Sequence, residues 1–342
     1  QRNEKPPDLM PNTLPPEWHP HEAIWLAYPH DPTLWAQNLL PAQAETRALI
    51  SLLSESENIN LLTPIPIPNV HSIPEPYGDI WLRDTGPIFL HTSQGTPVAA
   101  CFAFNGWGQK YLLPNDANLN LRLANRCASR AQAQIRLFDF VLEGGAIDTD
   151  GTGTLLTTRQ CLLNPNRSRI PGQTPLQATV EANLRHALGA QQIIWLDNGL
   201  QNDHTDGHVD TLARFVAPGE VVCMRPSGAA DPNAAALTAI EKTLRQARDA
   251  SGRRLQVHTI PSPGAVCDAD GRLAPASYLN FIIGNGCVAV PTYGRPQDAA
   301  AVAELAALFV GRSTHGLSAR AILSGGGAFH CMSQQQPAPR AG

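Results

Sequence analysis

His208-Val-Asp-Thr-Leu-Ala-Arg-Phe-Val216, a turn at Ala217-Pro-Gly-Glu220, then Val221-Val-Cys223: this stretch decides how the chain is read. A polar, reactive-looking opening leads into an apolar, β-branched run. The run turns at Pro-Gly and returns as a second run, the pattern of a β-hairpin. The same unit recurs. Asp84-Thr-Gly-Pro-Ile-Phe-Leu90 turns at Ser93-Gln-Gly-Thr96 and returns through Val98 to Phe104. Glu143-Gly-Gly-Ala-Ile147 turns through Asp150-Gly-Thr-Gly153 and returns as Leu155-Leu-Thr-Thr158. Ser277-Tyr-Leu-Asn-Phe-Ile-Ile283 turns at Gly284-Asn-Gly286 and returns as Val288-Ala-Val290. A fifth unit begins near Ser324-Gly-Gly-Gly-Ala-Phe-His-Cys331 and is completed by the N-terminal run Ala23-Ile-Trp-Leu-Ala-Tyr28.

Between the hairpins lie Ala- and Leu-rich stretches with helical spacing, at Pro41–Ser54, Asp231–Ser251 and Gln297–Gly311. Hairpin, helix and a further strand make a ββαβ module. A repeated ββαβ-like module that closes into a ring fits this pattern, with the last unit completed by the N-terminal run. An ordinary α/β sheet would explain the elements but not why reactive residues open the hairpins.

The chain has 342 residues with 43% apolar, 16% charged, 30 Pro and 27 Gly, which predicts a turn-rich globular protein with a sizeable core. We read residues 1–342 as a single catalytic domain. The net charge of −4 and the absence of basic runs exclude nucleic acid as the expected partner. No stretch of about 18 apolar residues occurs, so no membrane partner is expected. Seven cysteines without any Cys-x-x-Cys fit a reducing compartment, and a cytoplasmic location is the expectation. The chain starts without Met at a polar N-terminus, which keeps an exported form open. A homo-oligomer is compatible with the sequence and not determined by it.

The residues that open the hairpins carry the chemistry. Cys331 follows three glycines, which allow close backbone approach and left-handed conformations, with neighbouring N–H groups available to a developing charge. Alone it would read as a buried structural thiol, and the other six cysteines do read so. His208 and Asp210 lie two apart and would share one face of a strand. His204 and His208, four apart, raise a zinc reading, but Gly207 interrupts the helix and no Glu follows His204, so no metal and no cofactor are expected. In Asp79-Ile-Trp-Leu-Arg-Asp84 an extended chain would put Asp79, Trp81 and Arg83 on one side and Asp84 on the other. Asp84 and Glu143 taken singly would pass for turn residues. Together, a thiol, an imidazole and three carboxylates at Asp84, Glu143 and Asp210 select a small planar cation. Carboxylates bind a guanidinium in a fixed plane, and its charge favours the thiolate that must attack it.

The chain also resembles the agmatine deiminase and bacterial-type peptidylarginine deiminase family, within the guanidine-modifying enzymes of five-bladed α/β-propeller (pentein) fold. The resemblance rests on Leu14-Pro-Pro-Glu-Trp-His-Pro-His-Glu22, Trp81-Leu-Arg-Asp-Thr-Gly-Pro87, Phe104-Asn-Gly-Trp-Gly108, Glu143-Gly-Gly145, Thr205-Asp-Gly-His-Val-Asp210, Ser277-Tyr-Leu-Asn-Phe281 and Gly325-Gly-Gly-Ala-Phe-His-Cys331. It runs nearly end to end. It implies Cys331 as nucleophile, His208 as general acid/base, Asp84 and Asp210 on the guanidinium nitrogens, Glu143 orienting His208 and substrate, and Trp81 lining the channel. It implies hydrolytic deimination, with agmatine going to N-carbamoylputrescine and ammonia. The alternatives are a peptidylarginine deiminase, an amidinotransferase and a non-catalytic binding protein of the same fold. Two motifs depart from the agmatine-type pattern: Asp203-His-Thr205 where Asp-Asp-Thr is common, and Asn166-Arg-Ser-Arg169 in place of Asn-Arg-Asn-Pro. For a distal ammonium the residues expected nearby are Trp81 with Asp203 or Asp206, and His204 would repel it when protonated.

Replacing Cys331 with Ser is expected to abolish turnover while leaving the fold and ligand binding in place. Steady-state kinetics beside circular dichroism checks this; a variant retaining more than a small fraction of wild-type kcat would exclude Cys331 as nucleophile.

Overall fold

The computed structural model describes residues 12–131, 133–268 and 270–339. Five separate sheets form, each built around an antiparallel hairpin whose second strand pairs in parallel with a strand returning from a helix. In the first blade Ile88–Thr92 and Pro97–Ala103 form the hairpin, helix Leu119–Ala131 follows, and Gln134–Val141 returns. The second uses Asp148–Thr149, Thr154–Thr158, helix Gln177–Leu188 and Gln192–Leu196. The third uses Ala213–Ala217, Glu220–Arg225, helix Ala234–Gln246 and Gln256–Pro261. The fourth uses Ile282–Ile283, Cys287–Thr292, helix Asp298–Leu308 and Ser313–Ser318.

The fifth blade joins the two ends of the chain. Ser333–Pro337 pairs antiparallel with His21–Ala27, helix Leu39–Leu53 follows, and Ile59–Leu62 pairs in parallel with His21–Ala27. The five-bladed α/β propeller implied by the family resemblance, and fitted by the repeated module, is therefore the fold. Its hairpins turn where the sequence places Gly. Gly95 (φ +81°) and Gly219 (φ +73°) take left-handed conformations that a side chain would strain. The helices expected at 41–54, 231–251 and 297–311 occur, trimmed or shifted by a few residues at their ends.

One expectation is corrected at each opening. The reactive residues do not sit in the strands; they sit in tight turns a few residues ahead of them. Leu82–Thr85 is a single helical turn, and Gly144–Ala146 and Val209–Thr211 are 3₁₀ turns. Strand alternation therefore does not set the directions of Asp79 to Asp84, nor of His208 and Asp210. The physical reason is reach. A strand sends every second side chain to the middle, whereas a turn at its end can aim consecutive groups there, backbone N–H included.

At the centre of the ring, Arg214 is fully buried and ion-pairs with Glu17 and Asp148. It also donates to the carbonyls of Leu279 and Phe281, at 3.1 and 3.0 Å, and lies over the Phe281 ring at 4.7 Å. Glu17 accepts the Ile283 N–H at 2.8 Å and pairs with His330 at 3.1 Å. Burial alone would push the Glu17 carboxyl up; Arg214 and His330 outweigh it and hold the group well below its ordinary range. Third blade, fourth blade, N-terminal segment and the segment before the last strand are thus tied through one guanidinium.

Arg214→Leu leaves Glu17 and Asp148 buried without their cation and is expected to cost about 3–5 kcal/mol of unfolding free energy. Urea denaturation checks this, and an unchanged midpoint would remove Arg214 from the role of central tie.

Candidate functional site

Each blade opening contributes a group to one centre. Asp84 comes from the first, Glu143 and Gly145 from the second, His208 and Asp210 from the third, Asn280 from the fourth and Cys331 from the fifth. All are essentially buried.

Gly145 measures how closely they converge. A Cβ added there would lie 2.6 Å from His208 Nδ1, 3.0 Å from Asp84 Oδ1 and 3.1 Å from Asp210 Oδ2. The other side of Asp210 Oδ2 is 3.6 Å from Cys331 Sγ. The backbone of Glu143-Gly-Gly is therefore the floor of the site, and only a residue without a side chain leaves the space above it free.

Each acid is held differently. Asp84 accepts the Gly145 N–H at 2.9 Å and the Trp107 indole N–H at 2.8 Å, and its Oδ2 faces His208 Nδ1 at 3.7 Å. Burial, reinforced by Glu143 and Asp210, raises its carboxyl above the ordinary value. Asp210 Oδ2 pairs with His330 Nδ1 at 2.8 Å, and this pairing outweighs burial to hold Asp210 below its ordinary value. Glu143 Oε1 accepts from Arg167 Nε at 2.8 Å. That leaves Glu143 Oε2, Asp210 Oδ1 and both ring nitrogens of His208 buried without a hydrogen-bond partner. Buried polar atoms in a folded protein are nearly always satisfied, so this cluster marks a place built for a ligand, and the two free carboxylate oxygens call for one with several donors.

Cys331 Sγ receives the Asn280 side-chain N–H at 3.1 Å, and the Cys331 N–H donates to Asn280 Oδ1 at 3.1 Å. Burial pushes the thiol well up, and the charges of Asp210 and Asp84 push it further. The Ala328 N–H and Asn280 act the other way. His208 shows the mirror effect. Burial alone would lower it, but Asp84, Cys161 and Glu143 hold it well above its ordinary value. Burial and charge thus favour the neutral thiol at Cys331 and the charged imidazolium at His208.

The triple-glycine loop serves a different purpose from the expected one. The N–H groups of His330, Cys331 and Met332 are engaged by Asn280 O, Asn280 Oδ1 and Ala328 O, so they are not free for a developing charge. Only Gly326 is left-handed (φ +105°). At Gly325 and Gly327 an added Cβ would fall 2.7 and 2.8 Å from the Trp81 ring. The glycines let Trp81 lie flat against the loop beside Cys331.

Trp81 and Trp35 both donate to Asp79, each at 2.9 Å, which fixes the Trp81 ring at the edge of a cleft of about 230 Å³. The cleft runs past Trp107, Tyr111, Leu113 and His204 down to Asp84 and Cys331. His204 is exposed at its mouth and meets the Tyr111 hydroxyl at 3.2 Å. Asp203 and Asp206, expected near a distal cation, are otherwise engaged. Asp203 caps its own loop through Thr205 and the His208 N–H. Asp206 is ion-paired with Lys110 at 2.8 Å and Arg167 at 2.6 Å.

Sequence reasoning passed over Gly145, Asn280, His330, Glu17, Trp107 and Arg167. Asn280 was within reach, because it holds the fourth opening of the same repeat. Trp107 lies in Phe104-Asn-Gly-Trp-Gly108 and Glu17 in Leu14–Glu22, motifs that carried the family likeness without a role attached. Gly145 and Arg167 likewise lie in quoted motifs, Glu143-Gly-Gly145 and Asn166-Arg-Ser-Arg169, to which no role was attached.

A thiol and an imidazole ringed by carboxylates, at the centre of a five-bladed α/β propeller, define the guanidine-modifying class. Within it, residues 13–337 match the Porphyromonas-type peptidyl-arginine deiminase family, and the chain belongs to that family. The agmatine deiminase of Pseudomonas aeruginosa (strain LESB58) is 37% identical over 360 aligned positions, covering 96% of each chain. The structure of the agmatine deiminase of Enterococcus faecalis superposes with a TM-score of 0.87 at 28% identity, covering 95% of this chain and 96% of that one. A C. jejuni agmatine deiminase structure with substrate bound gives 0.86 at 27% identity, covering 99% of each.

Asp84→Asn removes one of the negative charges that raise the Cys331 thiol. Alkylation of Cys331 by neutral iodoacetamide is therefore expected to speed up at neutral pH, its rate-against-pH curve moving to lower pH. Turnover of a guanidino substrate falls in the same variant, by about 2–5 kcal/mol in kcat/KM. A variant with slower alkylation, or with unchanged kcat/KM, would contradict the electrostatic reading.

Proposed function

We propose that the chain is a hydrolytic deiminase of a small guanidino compound, with agmatine as substrate and N-carbamoylputrescine and ammonia as products, and that the five blades work as one catalytic domain. The observation that carries this reading is the set of buried, unpartnered acceptors around Cys331. A planar cation with several N–H donors is the ligand that satisfies Glu143 Oε2 and Asp210 Oδ1 together. The names of the relatives point the same way.

Asp84 and Asp210 hold the guanidinium nitrogens, and Glu143 completes the cage beside His208. Binding of the cation offsets the carboxylate charges that raise Cys331, so the thiol gives up its proton to solvent as substrate settles. The thiolate attacks the guanidinium carbon, and Asn280 keeps the sulfur in place. His208, protonated at the outset, gives its proton to the departing nitrogen. The C–N bond breaks, ammonia leaves, and a thiouronium adduct stays on Cys331. Neutral His208 then takes a proton from water, whose oxygen bonds to the same carbon. The C–S bond breaks, releasing the ureido product and restoring the thiol.

The tail of the substrate runs along the cleft. Among the residues lining it there is no Arg or Lys to meet an α-carboxylate, which disfavours free arginine. With Asp203 and Asp206 engaged, the distal ammonium rests on the faces of Trp81, Trp107 and Tyr111, a cation–π arrangement. His204 borders this wall.

Agmatine is expected to show a higher kcat/KM than free arginine or a peptidyl-arginine, and His204→Asp is expected to lower KM for agmatine. A colorimetric ureido assay across the three compounds measures both. Faster turnover of peptidyl-arginine would move the substrate to peptides, and faster turnover of arginine would refute the tail assignment.

A further inference from the structure

The proposed chemistry leaves one reactive group at the centre unused. Cys161 is fully buried in the short helix Arg159–Leu162, where Thr158 caps its N–H at 3.2 Å. Its sulfur, one carboxylate oxygen of Glu143 and one ring nitrogen of His208 all lie within 4.8 Å of one another. Glu143 Oε2 and both His208 nitrogens have no hydrogen-bond partner, His208 Nδ1 faces Asp84 at 3.7 Å, and Glu143 and His208 are at least nine-tenths buried. The other Glu143 oxygen is tied to Arg167, which fixes the direction of the free one.

A thiolate, an imidazole and a carboxylate form a borderline-soft donor set that suits Zn²⁺. At ordinary zinc bond lengths of about 2.0–2.3 Å, tetrahedral ligand atoms stand roughly 3.3–3.7 Å apart, so the widest separation has to close by up to about 1.1–1.5 Å. Three protein ligands leave the fourth position to water.

We propose that Glu143, Cys161 and His208 form an inhibitory Zn²⁺ site inside the active centre. On binding, the Cys161 thiol releases its proton to solvent and bonds through sulfur. His208 releases its proton and bonds through a ring nitrogen, and Glu143 bonds through Oε2. The metal then holds the imidazole that has to move protons and the carboxylate that faces the guanidinium, and its charge repels a second cation. Zinc and substrate exclude one another. The inhibitory part rests on the deiminase reading above; the metal-binding part stands on the geometry alone.

The full-length chain, stripped with chelator and desalted, is titrated with Co²⁺ as an optical probe and with Zn²⁺ in the assay. Wild type and Cys331→Ser are both expected to develop a thiolate-to-cobalt charge-transfer band, and Cys161→Ser is expected to lose it. Zinc is expected to inhibit wild type competitively with substrate, with the inhibition constant at least about tenfold weaker in Cys161→Ser. Because Cys161 is buried and its substitution could unfold the chain, Zn²⁺ bound to Cys331→Ser is also examined by X-ray absorption. One sulfur at about 2.3 Å supports the site, and a shell of only nitrogen and oxygen overturns it. A cobalt band that survives in Cys161→Ser and vanishes in Cys331→Ser places the metal on the nucleophile and overturns the proposal. Metal bound through Cys161 with turnover unaffected overturns the inhibitory role and calls into question the part assigned to His208, not the metal site.

Discussion

The buried guanidinium of Arg214 is the constraint on which the rest depends. A fully buried cation is costly to desolvate and is tolerated only with close partners. Its partner Glu17 comes from the N-terminal segment, before the first strand of the closing blade. Glu17 in turn holds His330, and His330 holds Asp210. One chain of charge therefore joins ring closure to the orientation of a carboxylate at the site. Pulling the N-terminal segment away would loosen a blade and also free Asp210 from its imidazole.

That arrangement explains how so many acids can share one small, dry centre. Asp84, Glu143 and Asp210 repel one another, and each is offset separately: Asp84 by the Gly145 and Trp107 N–H groups, Glu143 by Arg167, Asp210 by His330. The remaining negative potential falls on Cys331 and, with burial, raises its thiol. The same crowding of unpaired donor atoms beside Cys161 is what would make the centre open to a divalent metal.

Most of the candidate site was legible because the repeat is legible. Asp84, Glu143, His208, Asp210 and Cys331 open hairpins at similar spacing, and the ring brings them together. Their local backbone was not legible. His208 and Asp210 point to one place through a 3₁₀ turn and not through strand alternation, because short turns carry no periodicity to detect. Asn280 was hidden for a chemical reason: an amide among thiol, imidazole and acids does not look reactive. Gly145 was hidden because its contribution is the absence of a Cβ where three polar atoms crowd within about 3 Å. The acids expected at the tail, Asp203 and Asp206, are held by their own loop and by Lys110 and Arg167, because sequence shows a carboxylate's position and not its partners.

The sequence by itself determined the order of the hairpin modules and placed a candidate reactive residue at their openings. Those depend on local alternation, turn residues and spacing, all written in one dimension. Only the tertiary structure decided which carboxylate oxygens stay unpaired, which arginine lies buried under which acid, and that Cys161 stands beside His208. These follow from contacts between blades far apart in the chain, where a pairing of charges or a missing side chain is set by three-dimensional packing.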